Sequence, residues 1–155
     1  MKIENKNIDI FHHSDLNKTT TSCKIFNSII KTIDFDLFES DTPILIENCI
    51  IYDFLVHSCW FKEGLIFKNN LVINYIDYQM GGHNEKPIDL SGNIFTDFVS
   101  FFDCQFNFPV NLHNNIFRKG SNLLGNLDEG FKNIFDNGII INGNIGDIYQ
   151  NGFGK

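Results

Sequence analysis

VNLHNNIFRKGSNLLGN, residues 110–126, holds the pattern that decides the fold. Val110 and Leu112 are apolar and two residues apart, Asn115 follows, and Phe117 comes next. Eleven residues on, Ser121, Leu123 and Asn126 repeat the arrangement. Inward residues spaced by two belong to a short strand with alternating sides, not to a helix. Asn and Gly between such pairs mark turns, because they tolerate left-handed backbone. The spacing therefore assigns Val110 and Leu112 to the core, Asn115 to a corner and Phe117 to the next inward slot. A strand-turn unit this short cannot bury its apolar side alone, but stacked copies can.

The unit returns along most of the chain. Working back, it reads Val99, Phe101, Cys104, Phe106; Ile88, Leu90, Asn93, Phe95; Ile76, Tyr78, Gly81, His83; and Leu65, Phe67, Asn70, Val72. Before these come Phe54, Val56, Cys59, Phe61 and Ile44, Ile46, Cys49, Ile51, with fainter copies from Ile33 and Cys23. Ile139, Ile141 and Asn144 make a last echo after the irregular LDEGFKNIFDNG. Two units per turn make a coil of roughly 22 residues. A strict six-residue period, the mark of hexapeptide left-handed helices, is absent.

The centres Phe95, Phe101, Phe106, Leu112, Phe117 and Leu123 recur at alternating six- and five-residue steps. This resembles pentapeptide-repeat proteins in their variant with alternating five- and six-residue spacing, strongly over residues 44–126. That family prefers a small residue two before each centre. Here Asn93, Val99, Cys104, Val110, Asn115 and Ser121 stand there, so the Val and Asn positions depart from it, as does the lack of its A-(D/N)-L-x-x wording. The expectation is an all-β chain: a single right-handed parallel β-helix, or solenoid, of about six coils. Residues 1–22 would form an N-terminal cap, 23–126 the regular repeats and 127–155 an irregular closing segment.

Stacking alternate units puts Asn70, Asn93 and Asn115 in one column, where side-chain amides can form a ladder. Cys59, Gly81, Cys104 and Asn126 would line the opposite column. Cys59 and Cys104 then lie two coils apart, too far for a disulfide. With no CxxC spacing, the four cysteines (Cys23, Cys49, Cys59, Cys104) read as free, buried thiols.

YQMGGHNEKP, residues 78–87, is the stretch that departs most from the unit while keeping its phase. There His83 takes the slot held by Phe61 and Phe106, and with Asp77, Tyr78 and Glu85 it could form an acid-base or ligand cluster. The alternative is a looped-out structural corner, and this is the one adopted. His57 and His113 read as outward, His12 and His13 precede the regular part, and no two are placed to share a metal. No metal or cofactor site and no catalytic motif is read here; GFGK at the end is a tail. Asp53, Asn74, Asp97 and Lys119 form a column of mixed sign.

Between the small residue and the next inward one, alternate units carry Ile29, Ile50, Leu71, Ile94 and Ile116. Alternation aims these outward, as an interface; turn geometry or cover by residues 1–22 are the alternatives. The matching column on the other side, Glu39, Trp60, Gly82, Gln105 and Leu127, is far less uniform.

The composition narrows function without naming it. A net charge of −7 and a single arginine, Arg118, argue against nucleic-acid binding. No apolar run approaches the roughly 20 residues of a membrane span, and MKIENKNIDIFHHSD does not read as a secretion signal, which points to a cytoplasmic protein. An excess of 17 Phe over 4 Tyr and 1 Trp suggests a repeated slot that takes an apolar ring. The expected function is a non-enzymatic protein-binding solenoid, inhibitory or toxin-neutralising in the manner of an immunity protein, with a partner protein or a second copy on its aliphatic column. The resemblance implies an alternative, since some pentapeptide-repeat proteins are acidic dimers that mimic DNA and bind topoisomerases. An enzyme using the His83 corner is the third reading.

Overall fold

The computed structural model describes residues 1–16 and 19–154. The chain is a parallel β-solenoid. One face is a seven-stranded sheet in the order Lys2–Glu4, Cys23–Phe26, Ile44–Glu47, Leu65–Lys68, Ile88–Asp89, Val110–Asn111, Ile139–Ile140. A second face stacks Asn7–His12, Ile29–Asp34, Ile50–Leu55, Leu71–Val72, Ile94–Phe95 and Ile116–Phe117. Shorter pairs, such as Glu39–Ser40 with Trp60–Phe61 and Gln105–Phe106 with Ile134–Phe135, complete the coil. Among the described residues the only helical element is a 3-10 turn at His13–Asp15, and no helix is long and apolar enough to cross a membrane.

The register settles the coil count. Successive partners are Lys2 with Lys24, Cys23 with Ile44, Ile44 with Leu65, Leu65 with Ile88, and Ile88 with Val110. These steps run 21 to 23 residues and make about five regular turns. The sixth step, Val110 to Ile139, takes 29 residues because of an excursion after Leu123 whose tip, 127–130, is exposed. The ladder also starts earlier than expected. Within the segment assigned to the cap, Lys2–Glu4 and Asn7–His12 pair in register with the next coil and form a rung. Residues 17–18 of that proposed cap lie outside the described residues.

Alternation explains the core. Cys23, Ile25, Ile44, Ile46, Leu65, Phe67, Ile88, Leu90, Val110 and Leu112 are buried, while the residues between them are not. The phenylalanine slot is real: Phe95 and Phe117 are register partners with rings 5.0 Å apart, and Phe106 and Phe135 repeat this at 5.2 Å. Rings on successive rungs stack at close to the strand spacing of about 4.8 Å.

The corners correct one assignment. Asn115 is fully buried; the left-handed residue is Asn114, with φ 57°. The same corner is held by Asn5, Asn27, Asn48, Asn69, Gly92 and Gly143, all with positive φ. At this corner a residue of the kind that bears left-handed backbone thus occurs once per coil.

Freed from the turn, Asn115 does a different job. Its Oδ1 accepts from the backbone N–H of Asn93 at 2.8 Å, and its Nδ2 donates to the carbonyl of Leu90 at 2.7 Å. Asn93 treats Asn70 and Phe67 in the same way, at 2.9 and 2.8 Å, and Asn70 treats Cys49 and Ile46, at 2.9 and 3.0 Å. Asn144 adds a fourth rung on Asn115 and Leu112, at 2.8 and 2.7 Å. The amides also touch one another, Asn93 Nδ2 lying 3.2 Å from Asn115 Oδ1. The main bonds of the ladder nevertheless run from side chain to backbone. They satisfy buried groups at corners where strand pairing lapses.

The opposite column also needs correcting. Cys104 is followed by Asn133, whose Oδ1 accepts from the Cys104 N–H at 2.9 Å. Asn126 instead meets Asn151 and Gly152 of the closing segment. All four cysteines are free and buried.

Candidate functional site

Two outer surfaces stand out. The first is the aliphatic column. Strand pairing places Ile29, Ile50, Leu71, Ile94 and Ile116 on successive rungs, and a bridge from Ile116 adds Ile145. All face outward; Ile29 is 46% exposed, Ile50 and Ile94 are 38% and Ile145 is 64%. The strand Asn7–His12 does not lie over the column; it forms the rung beyond Ile29. Beside it, Asp53 accepts from Asn74 at 2.7 Å and Asp97 pairs with Lys119 at 2.9 Å. The lysine holds the Asp97 carboxyl below its ordinary range. The mixed-sign column therefore binds up much of its own charge.

The second surface is an open groove of about 510 Å³ lined by Leu37, Glu39, Ser58, Trp60, Met80, His83, Asp103, Cys104, Gln105 and Ile134. Its floor is the column Glu39, Trp60, Gly82, Gln105, with Ile134 completing it in place of the expected Leu127. Gly82 interrupts the side chains. A Cβ there would lie 2.1 Å from the Gln105 carbonyl oxygen, and φ is +102°, so only glycine suits the position.

His83 is not in the inward slot. It takes left-handed backbone, φ 48°, and its half-buried ring lies against Trp60 with centroids 4.4 Å apart. Tyr78 lies inside instead, its ring 6.3 Å from Phe61 and 6.0 Å from Phe106. The candidate cluster of Asp77, Tyr78, His83 and Glu85 is therefore dispersed. Asp77 faces His57, Oδ2 to Nδ1 3.3 Å; Tyr78 is core; His83 meets an indole; Glu85 is exposed. The groove is concave and holds His83, but its lining carboxylates are Glu39 and Asp103.

Sequence reasoning missed the His57–Asp77 pair and the Lys62 cluster. Lys62 Nζ is 2.5 Å from Glu39 and 3.9 Å from Asp41, and the field of Glu85 reaches it too. The rung partnership of Glu39 with Trp60 was readable; the turn of Lys62 toward it was not. No cluster of three or more metal-ligating side chains occurs among the described residues. The thiols are poor nucleophiles: burial pushes Cys23 up to about 11 and Cys104 up to about 12.

Comparison of the chain with protein-family models, curated proteins and solved structures finds no match.

Proposed function

We propose that this chain is a non-enzymatic protein-binding solenoid, cytoplasmic and inhibitory or toxin-neutralising in action, related in repeat design to pentapeptide-repeat proteins. The observation that carries the reading is the aliphatic column: six outward Ile or Leu side chains on consecutive rungs, four of them exposed and Leu71 and Ile116 partly so. At the strand spacing it is a strip about 24 Å long. An ordinary solvated sheet face carries polar residues at such positions. The backbone beneath it, tied by the Asn70, Asn93, Asn115 and Asn144 ladder, holds the strip in one shape and lowers the entropy cost of association. The dispersal of Asp77, Tyr78, His83 and Glu85 favours binding over catalysis at that corner. The pairing of Asp97 with Lys119 breaks the continuous negative stripe that a DNA mimic would present.

The experiment is a triple change of Ile50, Leu71 and Ile94 to Ser, followed by circular dichroism, sedimentation and partner capture against the parent. The reading expects a folded variant that loses its dimer or its captured partner. A folded variant that keeps both would refute it.

A further inference from the structure

The groove lies on a different side of the coil from the aliphatic strip and has its own chemistry. Its apolar surface is exposed: Leu37 is 78% accessible, Met80 47% and Ile134 44%. Trp60 and His83 supply an aromatic wall, open because Gly82 carries no side chain. At one end three carboxylates, Glu39, Asp41 and Glu85, surround the single ammonium of Lys62, leaving an excess of negative charge. At the other end Asp103 is exposed and joins no salt bridge among the described residues. Among the described residues no lysine or arginine lines the groove, and Lys62 reaches it only through Glu39.

The spacing of the two ends is set by the ladder. Glu39, Trp60, Gly82 and Gln105 stand on consecutive rungs, and Asp103 shares the rung of Gln105. Three steps of about 4.8 Å separate the acidic ends by roughly 14 Å along the axis. An extended peptide advances about 3.4 Å per residue, so positions i and i+4 span nearly the same distance.

We infer that the groove binds an extended basic segment of a partner protein, with two arginines four residues apart facing Glu39 and Asp103 and an apolar residue between them over Met80 and Trp60. Arginine suits both contacts: its planar guanidinium stacks on an indole and forks onto a carboxylate, which an ammonium does less well. The inference deepens the protein-binding reading by giving the partner's chemistry, but it does not depend on the aliphatic strip.

Trp60 is the only tryptophan, so its fluorescence reports the groove directly. The probes are acetyl-Arg-Gly-Leu-Gly-Arg-amide, an isomer with adjacent arginines, and a counterpart with citrulline at both positions. The first should give a saturable change in Trp60 emission and bind at least fivefold more tightly than the isomer, with no response to citrulline. Glu39→Gln with Asp103→Asn, both exposed positions, should weaken binding at least tenfold. Asp53→Asn with Asp97→Asn, on the face that carries the strip, should leave it unchanged. The Ile50, Leu71 and Ile94 triple variant should still bind, which separates this inference from the strip. No saturable change, equal affinity for the two arginine spacings, or equal loss in both acidic double variants would overturn it.

Discussion

Replacing Asn93 with Leu tests the ladder at its centre. Asn93 Oδ1 accepts from the Asn70 N–H at 2.9 Å and Nδ2 donates to the Phe67 carbonyl at 2.8 Å, both in the buried interior. Leucine is close in volume but offers neither group. The Asn115 Oδ1 keeps its bond from the Asn93 backbone, so the damage is one orphan donor and one orphan acceptor. Each costs about 1–3 kcal/mol when buried without a partner. The added apolar contact offsets part of this, leaving a loss of about 2–5 kcal/mol. For a domain of this size that corresponds to a fall in melting temperature of about 4–20 °C. Thermal unfolding followed by circular dichroism, with urea titration to check that the slope is unchanged, measures it. A midpoint within a degree of the parent would show that water or relaxed backbone satisfies the two groups, and the ladder argument would fail.

Cys49 stands in the same column, where its Sγ reaches the Ile25 carbonyl only at 3.9 Å; Cys49→Asn should complete the rung and stabilise by about 1 kcal/mol, read from the urea midpoint. Gly82→Ala should destabilise by about 2 kcal/mol or more, because it combines positive φ with a Cβ 2.1 Å from the Gln105 oxygen; an unchanged midpoint would remove the close approach. The buried thiols should resist a thiol reagent at pH 8 in the native state and all react in denaturant. Because burial raises the folded-state values of Cys23 to about 11 and Cys104 to about 12, from an ordinary 9.0, the folded form holds these protons longer. Their contribution is level below about pH 9 and stability falls as pH rises towards 12; a profile still rising over that window would contradict the burial.

The strand pattern was legible because alternation is local: Val110 and Leu112 reveal their side without reference to any neighbour. The Asn70, Asn93, Asn115 column was legible because the steps between them vary by only one residue. The corner was misplaced at Asn115 because Asn114 and Asn115 are the same residue type. Asn27 beside Ser28, and Asn48 beside Cys49, carried the signal that separates the left-handed position from the buried one. Counting failed outright after Leu123, where a constant step leads to Asn126 but the chain returns only at Asn133. His83 kept the count yet left the slot, because Gly81 and Gly82 let the backbone turn its ring outward. The groove could not be read from any one segment, since it is made by stacking Gly82 beneath Trp60.

The excursion at residues 124–132 shows how this chain can vary. It departs after Leu123 and re-enters at Asn133, whose Nδ2 donates to the Leu123 carbonyl at 2.9 Å and ties the neck of the loop. Above and below that neck the rungs keep their partners, Gln105 with Ile134 and Val110 with Ile139. Doubling the length of a flexible loop costs only about 0.6 kcal/mol in closure entropy. The exposed tip of this excursion is therefore a graft port: foreign sequence placed between Leu127 and Gly130 would ride on the solenoid as cargo, displayed at a fixed height along the axis while both faces beneath it stay in register.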